Sequence, residues 1–276
     1  MMVVAALVGC EGTATFDMAT NAPGDPVILR VLVDLEGIEL TGDRTQTLLF
    51  DDPVRVDLIE YVDGNLFRLF TDETLSDGRY TGVRLLFSSD ADDDNEDVVV
   101  RADGEFPLTV AAGVAAEVDF TVDKDDASRD DIVLMLDLRQ SLSFDDRDDE
   151  YTLTPLVRGA RVEDTGRLTG LVTASCRVGT SLAQGGAVYL FAGEDQTPDD
   201  RDGIGVEPYL TTAVVRDGAT GSAAYSLRYI SEGDYTIALT CDGDEEDAAR
   251  NDNLRFQNVA NVRVRAEQTV TRNLGG

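Results

Sequence analysis

Short runs of β-branched and aliphatic residues, cut by Asp-Gly pairs, constrain this chain more than any other feature of it. In the first half, "VILRVLVDLEGIEL", "VRVDLIEY", "YTGVRLLF", "DVVVRA", "AAEVDFTV" and "IVLMLDLRQSL" follow one another. Asp63-Gly64, Asp77-Gly78 and Asp103-Gly104 stand between them. Asp-Gly tolerates the left-handed backbone that a tight hairpin requires. Runs of roughly 5–8 residues with such frequent turns predict strands packed as an antiparallel sandwich. One stretch reads differently. In "NLFRLFTDETL", Leu66, Leu69 and Phe70 fall at i, i+3, i+4, which predicts a short helix.

The same grammar resumes after "RVEDTGRLTG", where Gly166 and Gly170 flank the start of a new run. "RLTGLVTASCRV", "GGAVYLFAG", "YLTTAVVRDG", "AAYSLRYI", "GDYTIALTC" and "NVRVRAEQTVTRNL" read as a second β unit, with Asp217-Gly218 as a hairpin turn. The chain has 276 residues, and a domain takes about 100–200. The expectation is an all-β protein of two antiparallel β-sandwich domains, with at most a short helix in the first. Residues 1–10 read as the end of a signal, 11–26 as a tether, 27–164 as the first domain and 165–276 as the second.

Charge and missing residue types exclude whole classes of function. The net charge is −31, from 54 acidic and 23 basic residues. Such a surface repels nucleic acid, so no nucleic-acid partner is expected. Lys124 is the lone lysine beside many arginines. Adaptation to salt and a GC-rich coding bias both account for that, and both stay open. The chain has no histidine, hence no Ser-His-Asp triad, no Cys-His pair and no His-ligated zinc. It also lacks tryptophan, the commonest sugar-stacking residue. No phosphate-binding or dinucleotide-binding glycine motif is present. Paired carboxylates remain the one formal route to hydrolysis, and the chain is expected not to be an enzyme and to need no cofactor.

The N-terminus gives the clearest motif. "MMVVAALVGC" is too short for a membrane span, which needs about 20 apolar residues. It reads as the end of a secretory signal. Leu7-Val8-Gly9-Cys10 resembles a bacterial lipobox, with Gly9 small at the scissile bond and Cys10 as the sulfur that takes the lipid. Several acyl chains anchor far better than one. No Lys or Arg precedes Cys10, so the start is expected upstream. Glu11, where an Asp would favour inner-membrane retention, points to the outer membrane. The alternative is an apolar terminus with an incidental cysteine.

Two further cysteines, Cys176 and Cys241, lie in the second unit. An even pair in an exported protein predicts a disulfide, and two buried free thiols are the alternative. Five stretches concentrate carboxylates: "SSDADDDNED", "DKDDASRDD", "DDRDDE", "EDQTPDDRDG" and "DGDEEDAARND". In the first, Asp90, Asp92 and Asp94 take positions 1, 3 and 5 of an EF-hand-like loop, which makes calcium the cation to consider. Position 6 is Asn95 rather than Gly and position 12 is Arg101 rather than Glu, so a true EF-hand is not expected. The bland alternative is a set of solvated loop tips. Tyr225, Tyr229 and Tyr235 form an aromatic group. Strand alternation would put Tyr225, Leu227 and Tyr229 on one face, as core packing or as a glycan-binding surface.

Larger resemblances join these pieces. "FDMATNAPGDPVILRVLVDLEGIEL", "VRVDLIEY", "LFTDETLSDGRYTGVRLLF", "ADGEFPLTVAAG", "IVLMLDLRQSL" and "YTLTPLVRGARVEDTGRLTGLV" resemble, in order, a bacterial lipoprotein family known as domain of unknown function 4382. The resemblance covers roughly residues 16–172. Ala19-Thr20-Asn21 departs from the family's Thr-Asp before Ala-Pro. It implies a β-rich exported domain and no activity. "GGAVYLFAG", "AAYSLRYISEGDYTIALTCDGD" and "VRVRAEQTVTRNL" resemble transthyretin-like and carboxypeptidase-regulatory-like sandwiches, which serve as spacers or binding appendages. The expected role is therefore a non-catalytic binding or structural module of the cell envelope. It would be held to the membrane by a lipid on Cys10, with a glycan or an envelope protein as partner. The alternative is a calcium-dependent or glycan-binding adhesin-like module.

Overall fold

The computed structural model describes residues 12–88, 97–123, 129–174, 176, 185–216 and 220–275. Twelve strands build the first unit: β1 (Thr13–Thr20), β2 (Ile28–Gly42), β3 (Gln46–Asp57), β4 (Phe67–Thr74), β5 (Gly78–Phe87), β6 (Val98–Arg101), β7 (Gly104–Val110), β8 (Ala116–Val122), β9 (Arg129–Leu136), β10 (Leu142–Asp145), β11 (Glu150–Leu153) and β12 (Val157–Arg161). One sheet has the order β12-β9-β1-β4. The other runs β10-β11-β7-β6-β2-β5-β8 with β3 also on β2. The 15-residue β2 is long enough to pair with β6 through its first part and with β3 and β5 beyond it.

The sheets face each other across one core. Phe16, Met18 and Leu134 from the smaller sheet meet Ile28, Leu40, Tyr80 and Phe120 from the larger. Alternation explains the choice of faces in β8, whose buried and exposed residues alternate without a break. Tyr80 and Phe120 stack with centroids 5.2 Å apart. The Tyr80 hydroxyl escapes burial cost by donating to the Ser76 carbonyl at 2.9 Å.

Two expectations are corrected here. Residues 11–26 are not only a tether. They contain β1, which lies between β9, its parallel partner, and β4, its antiparallel partner, with seven of eight residues buried. Ala14, Phe16 and Met18 enter the core, while Asp17 on the opposite side accepts from Arg68 at 2.5 Å. "NLFRLFTDETL" is not a helix but β4. Its pairing with β1 slips twice, on either side of Phe16, and Asp72 has φ +52°. These bulges break the period of two, and the residual spacing of Leu66, Leu69 and Phe70 imitates a helix. Helical structure among the described residues is limited to two 3-10 segments, Leu58–Gly64 and Val162–Asp164.

The second unit contains β13 (Thr165–Val172), β14 (Ala187–Ala192), β15 (Leu210–Ala213), β16 (Val215–Arg216), β17 (Ala223–Ser231), β18 (Gly233–Thr240), β19 (Phe256–Val264) and β20 (Thr269–Thr271). One sheet is β16-β17-β13-β20 and the other β15-β14-β18-β19. Leu168, Tyr225 and Leu227 pack from the first against Val188, Leu190 and Ile237 from the second. Ala19 of β1 and Met135 of β9 enter this same core, so the two units share apolar packing. The Cys176–Cys241 disulfide, with Cα atoms 4.9 Å apart, ties the chain just after β13 to the end of β18, one point on each sheet. Closing a loop of this span stabilises by about 4 kcal/mol in the chain-entropy model.

Candidate functional site

The junction between the units is organised by five residues, "DLRQS", Asp137 to Ser141, that follow β9. The Leu142 amide donates to the Leu138 carbonyl at 3.0 Å, and the Ser141 hydroxyl to the Asp137 carbonyl at 2.5 Å, which closes a compact turn. That turn points Asp137 at β15. Asp137 is fully buried, and its carboxylate accepts from the Gln140 side chain at 2.7 Å, the Thr211 amide at 2.7 Å and the Thr211 hydroxyl at 2.9 Å. Asn21, just past β1, donates to the Thr211 carbonyl at 2.8 Å and accepts from the Leu138 amide at 2.6 Å. Arg139 is 1% exposed and donates to the carbonyls of Gly243 and Pro23. Charged groups this deep are tolerable only when hydrogen-bonded, and here the bonds cross from one unit to the other.

Elsewhere along the junction the chemistry is reversed. A cavity of about 460 Å³ opens between the start of β9 and the end of β12 on one side and β13, β17 and β20 on the other. Arg129, Arg161, Arg167 and Arg228 all line it. Arg129 pairs with Asp72 at 3.2 Å and Arg161 with Glu163 at 2.9 Å. Arg167 donates from Nε to the Ser226 hydroxyl at 3.0 Å. Among the described residues it has no carboxylate partner, and Arg228 has no hydrogen-bond or ion-pair partner at all, its Nε being buried. Burial and then the neighbouring Arg228 charge push the Arg167 guanidinium below its usual range.

The local backbone explains why these two arginines meet. β13 and β17 are antiparallel, but Gly166 pairs with Ile230 and Leu168 with Leu227, so Arg228 and Tyr229 together oppose Arg167. The extra residue is a β-bulge, a device that re-aims side chains. Tyr229 has φ +56°, a left-handed conformation costing about 1–3 kcal/mol in a residue other than glycine. Gly64 of the first unit makes room for the displaced arginine, since a Cβ there would collide with the Arg228 side chain. Asp63 beside it is raised by burial and lowered by the Arg228 charge.

The acidic stretches divide into two kinds. "EDQTPDDRDG" and "DGDEEDAARND" are not solvated tips, which corrects the bland expectation for these two. They fold over the outer face of β14 and β18, where Tyr189, Phe191 and Phe256 form a small apolar layer. Asp200 is 1% exposed, and Glu246 and Asp247 are also buried. Glu246 accepts from the Tyr189 hydroxyl at 2.6 Å and from the Arg201 amide at 3.1 Å. Burial pushes its carboxyl up to about 7 against those two donors. Both oxygens are taken by the protein, so Glu246 serves the fold rather than an incoming molecule.

Of the residues expected from sequence, Cys176 and Cys241 are joined as a disulfide. Cys10, Asp90, Asp92 and Asp94 lie outside the described residues, as does the Asp217-Gly218 turn. Among the described residues no group of three or more Asp, Glu or Cys is arranged to hold a metal ion, and no helix is long and apolar enough to cross a membrane. The tyrosines do not share one surface. Tyr225 and Tyr235 are buried and donate to the carbonyls of Arg272 at 2.6 Å and Ser231 at 2.8 Å. The bulge takes Tyr229 out of their register, so that it packs against the edge of the same core and also lines the arginine cavity. Sequence alternation carries no mark of that bulge. The unusual signal was two arginines, Arg167 and Arg228, in a chain so short of positive charge.

A family described as domain of unknown function (DUF4382) matches residues 12–155, just over half of the chain. No curated protein matches it. Among solved structures, a protein of Bacillus anthracis described as the TIE protein aligns at 8% identity over 95% of this chain and 34% of its own, with a TM-score of 0.23. The chain thus spans about a third of that protein's length. The minor pilin of Streptococcus agalactiae aligns at 12% identity over 95% of this chain and 94% of its own, TM-score 0.21. A fimbrial protein from Bacteroides ovatus aligns at 10% identity over 97% and 49%, TM-score 0.21. TM-scores this low establish no shared fold. The family match does establish kinship: the chain belongs to the DUF4382 family.

Proposed function

We propose that this DUF4382 protein is an exported, lipid-anchored module of the bacterial cell envelope. It would be held to the outer membrane through Cys10 and act by binding or by structure rather than by catalysis. The observation that carries the reading is the Cys176–Cys241 bond, because such bonds persist in oxidising compartments outside the cytosol. The lipobox-like Leu7-Val8-Gly9-Cys10 and the lack of any histidine support the same reading. A rigid junction suits a module that presents a surface, since Asp137, Asn21 and Thr211 lock the two units together. Expressed behind a complete signal, the protein should fractionate with membranes, and Cys10→Ser should release it. Equal membrane retention of the variant would sink the lipid anchor.

A second reading, a glycan-binding adhesin-like module, is favoured by one feature: the open cavity with Tyr229 and four arginines in its wall. Calcium at Asp90, Asp92 and Asp94 belongs to this second reading as well.

A further inference from the structure

Arg167, Arg228 and Tyr229 share an unusual condition. In a protein with 54 acidic residues, Arg167 and Arg228 meet across a bulge. The Arg167 side chain is bonded to the Ser226 hydroxyl and the Arg228 side chain to nothing among the described residues, with the Asp63 carboxyl near enough to feel the Arg228 charge. Like charges at close range repel, and nearly every other arginine at this junction is paired or bonded to a carbonyl. The Tyr229 hydroxyl also has no hydrogen-bond partner among the described residues. The backbone holds this arrangement through a bulge and a left-handed tyrosine, both of which cost stability. Strain and unused donors gathered on one cavity wall are what a preorganised binding site requires.

We propose that the cavity between the two units binds an acidic sugar, with its carboxylate bridging Arg167 and Arg228 and its ring against Tyr229. The volume of about 460 Å³ is in the range of small-ligand sites and takes a monosaccharide or a disaccharide end. Guanidinium groups match a planar carboxylate in two-pronged fashion. The charge of the remaining wall selects among anions. Asp130, Asp131, Glu163 and Glu267 also line the cavity, so a doubly charged phosphate meets more repulsion than a single carboxylate does. Gln268 and Thr269 supply polar groups for hydroxyls. The inference deepens the glycan-binding reading and rests on it, but it is independent of the lipid anchor.

The test is calorimetric titration of the full chain carrying Cys10→Ser with glucuronate, glucose and inorganic phosphate at matched ionic strength. Glucuronate should bind, glucose and phosphate should bind at least tenfold more weakly, and Arg167→Gln or Arg228→Gln should each lose about tenfold in glucuronate affinity. Arg255→Gln, an exposed arginine paired with Asp242 and not part of the cavity wall, should bind as the parent does. Equal binding of glucose and glucuronate would overturn the carboxylate assignment while leaving the glycan-binding reading standing. No binding of either sugar would overturn both. Phosphate binding as tight as glucuronate, or glucuronate binding indifferent to both arginine variants, would also overturn the proposal.

Discussion

Asp137, fully buried, and Arg228, half-buried, lie at the same junction and serve different purposes. Around Asp137 the carboxylate accepts from Gln140 and Thr211, and Asn21 completes the circuit through Leu138. The Arg228 side chain makes no hydrogen bond or ion pair among the described residues, and its charge is felt by both the Arg167 guanidinium and the Asp63 carboxyl. Burying a polar group is costly unless it is hydrogen-bonded. The Asp137 carboxylate, bonded to Gln140 and Thr211, therefore belongs to the fold, although Arg139 Nε and Gln140 Oε1 beside it are buried without a hydrogen-bond partner. Arg228, unpartnered and held beside Arg167 by a strained bulge, points to something the fold does not itself supply.

The contrast breaks most easily at its satisfied end. Asp137→Ala removes the acceptor for the Thr211 amide and hydroxyl and for the Gln140 side chain, all buried. The loss should reach about 3–5 kcal/mol in denaturant unfolding, since each orphaned group costs about 1–3 kcal/mol. A cost under about 1 kcal/mol would mean the network is incidental.

Glu246 sharpens the contrast through pH. Its folded carboxyl holds a proton up to about 7, while the ordinary value is 4.5. Between those values the folded state binds more protons than the unfolded state. Stability therefore falls as pH rises through that window, and the full cost is present above it. In Glu246→Gln the amide oxygen can still accept from the Arg201 amide and the NH2 can donate to the Tyr189 oxygen, as the protonated carboxyl does. The variant should therefore be more stable than the parent at pH 8 by about 2–3 kcal/mol and close to it at pH 4. A smaller slope of the same sign should remain from Asp97, pushed by burial to about 6. Parallel pH profiles for the two proteins would refute this account of Glu246.

Much of the fold was legible because buried strands declare themselves. The unbroken alternation of β8 and the apolar run of β14 each report their surroundings: one face buried in β8, both faces in β14. The disulfide was legible because, with Cys10 set aside as the lipobox cysteine, Cys176 and Cys241 remain as a pair. What stayed hidden was the local irregularity. β4 and β17 each carry bulges, and a bulge shifts every later side chain by one face without leaving a mark in composition. β1 was hidden for another reason. "TATFDMAT" mixes small, polar and apolar residues, because its neighbours on both edges supply the pairing and its Asp17 is neutralised by Arg68. The acidic loops misled in the opposite direction, since Asp200, Glu246 and Asp247 are buried by accepting hydrogen bonds that sequence does not reveal.

The most direct test of the contrast is a thermal melt of Arg228→Gln beside Asp137→Ala, without ligand. If Arg228 is held ready for a ligand rather than for the fold, its removal relieves repulsion with Arg167 and leaves the melting temperature within about 2 °C of the parent or above it. A fall for Arg228→Gln as large as that for Asp137→Ala would contradict the account and make Arg228 one more strut of the junction.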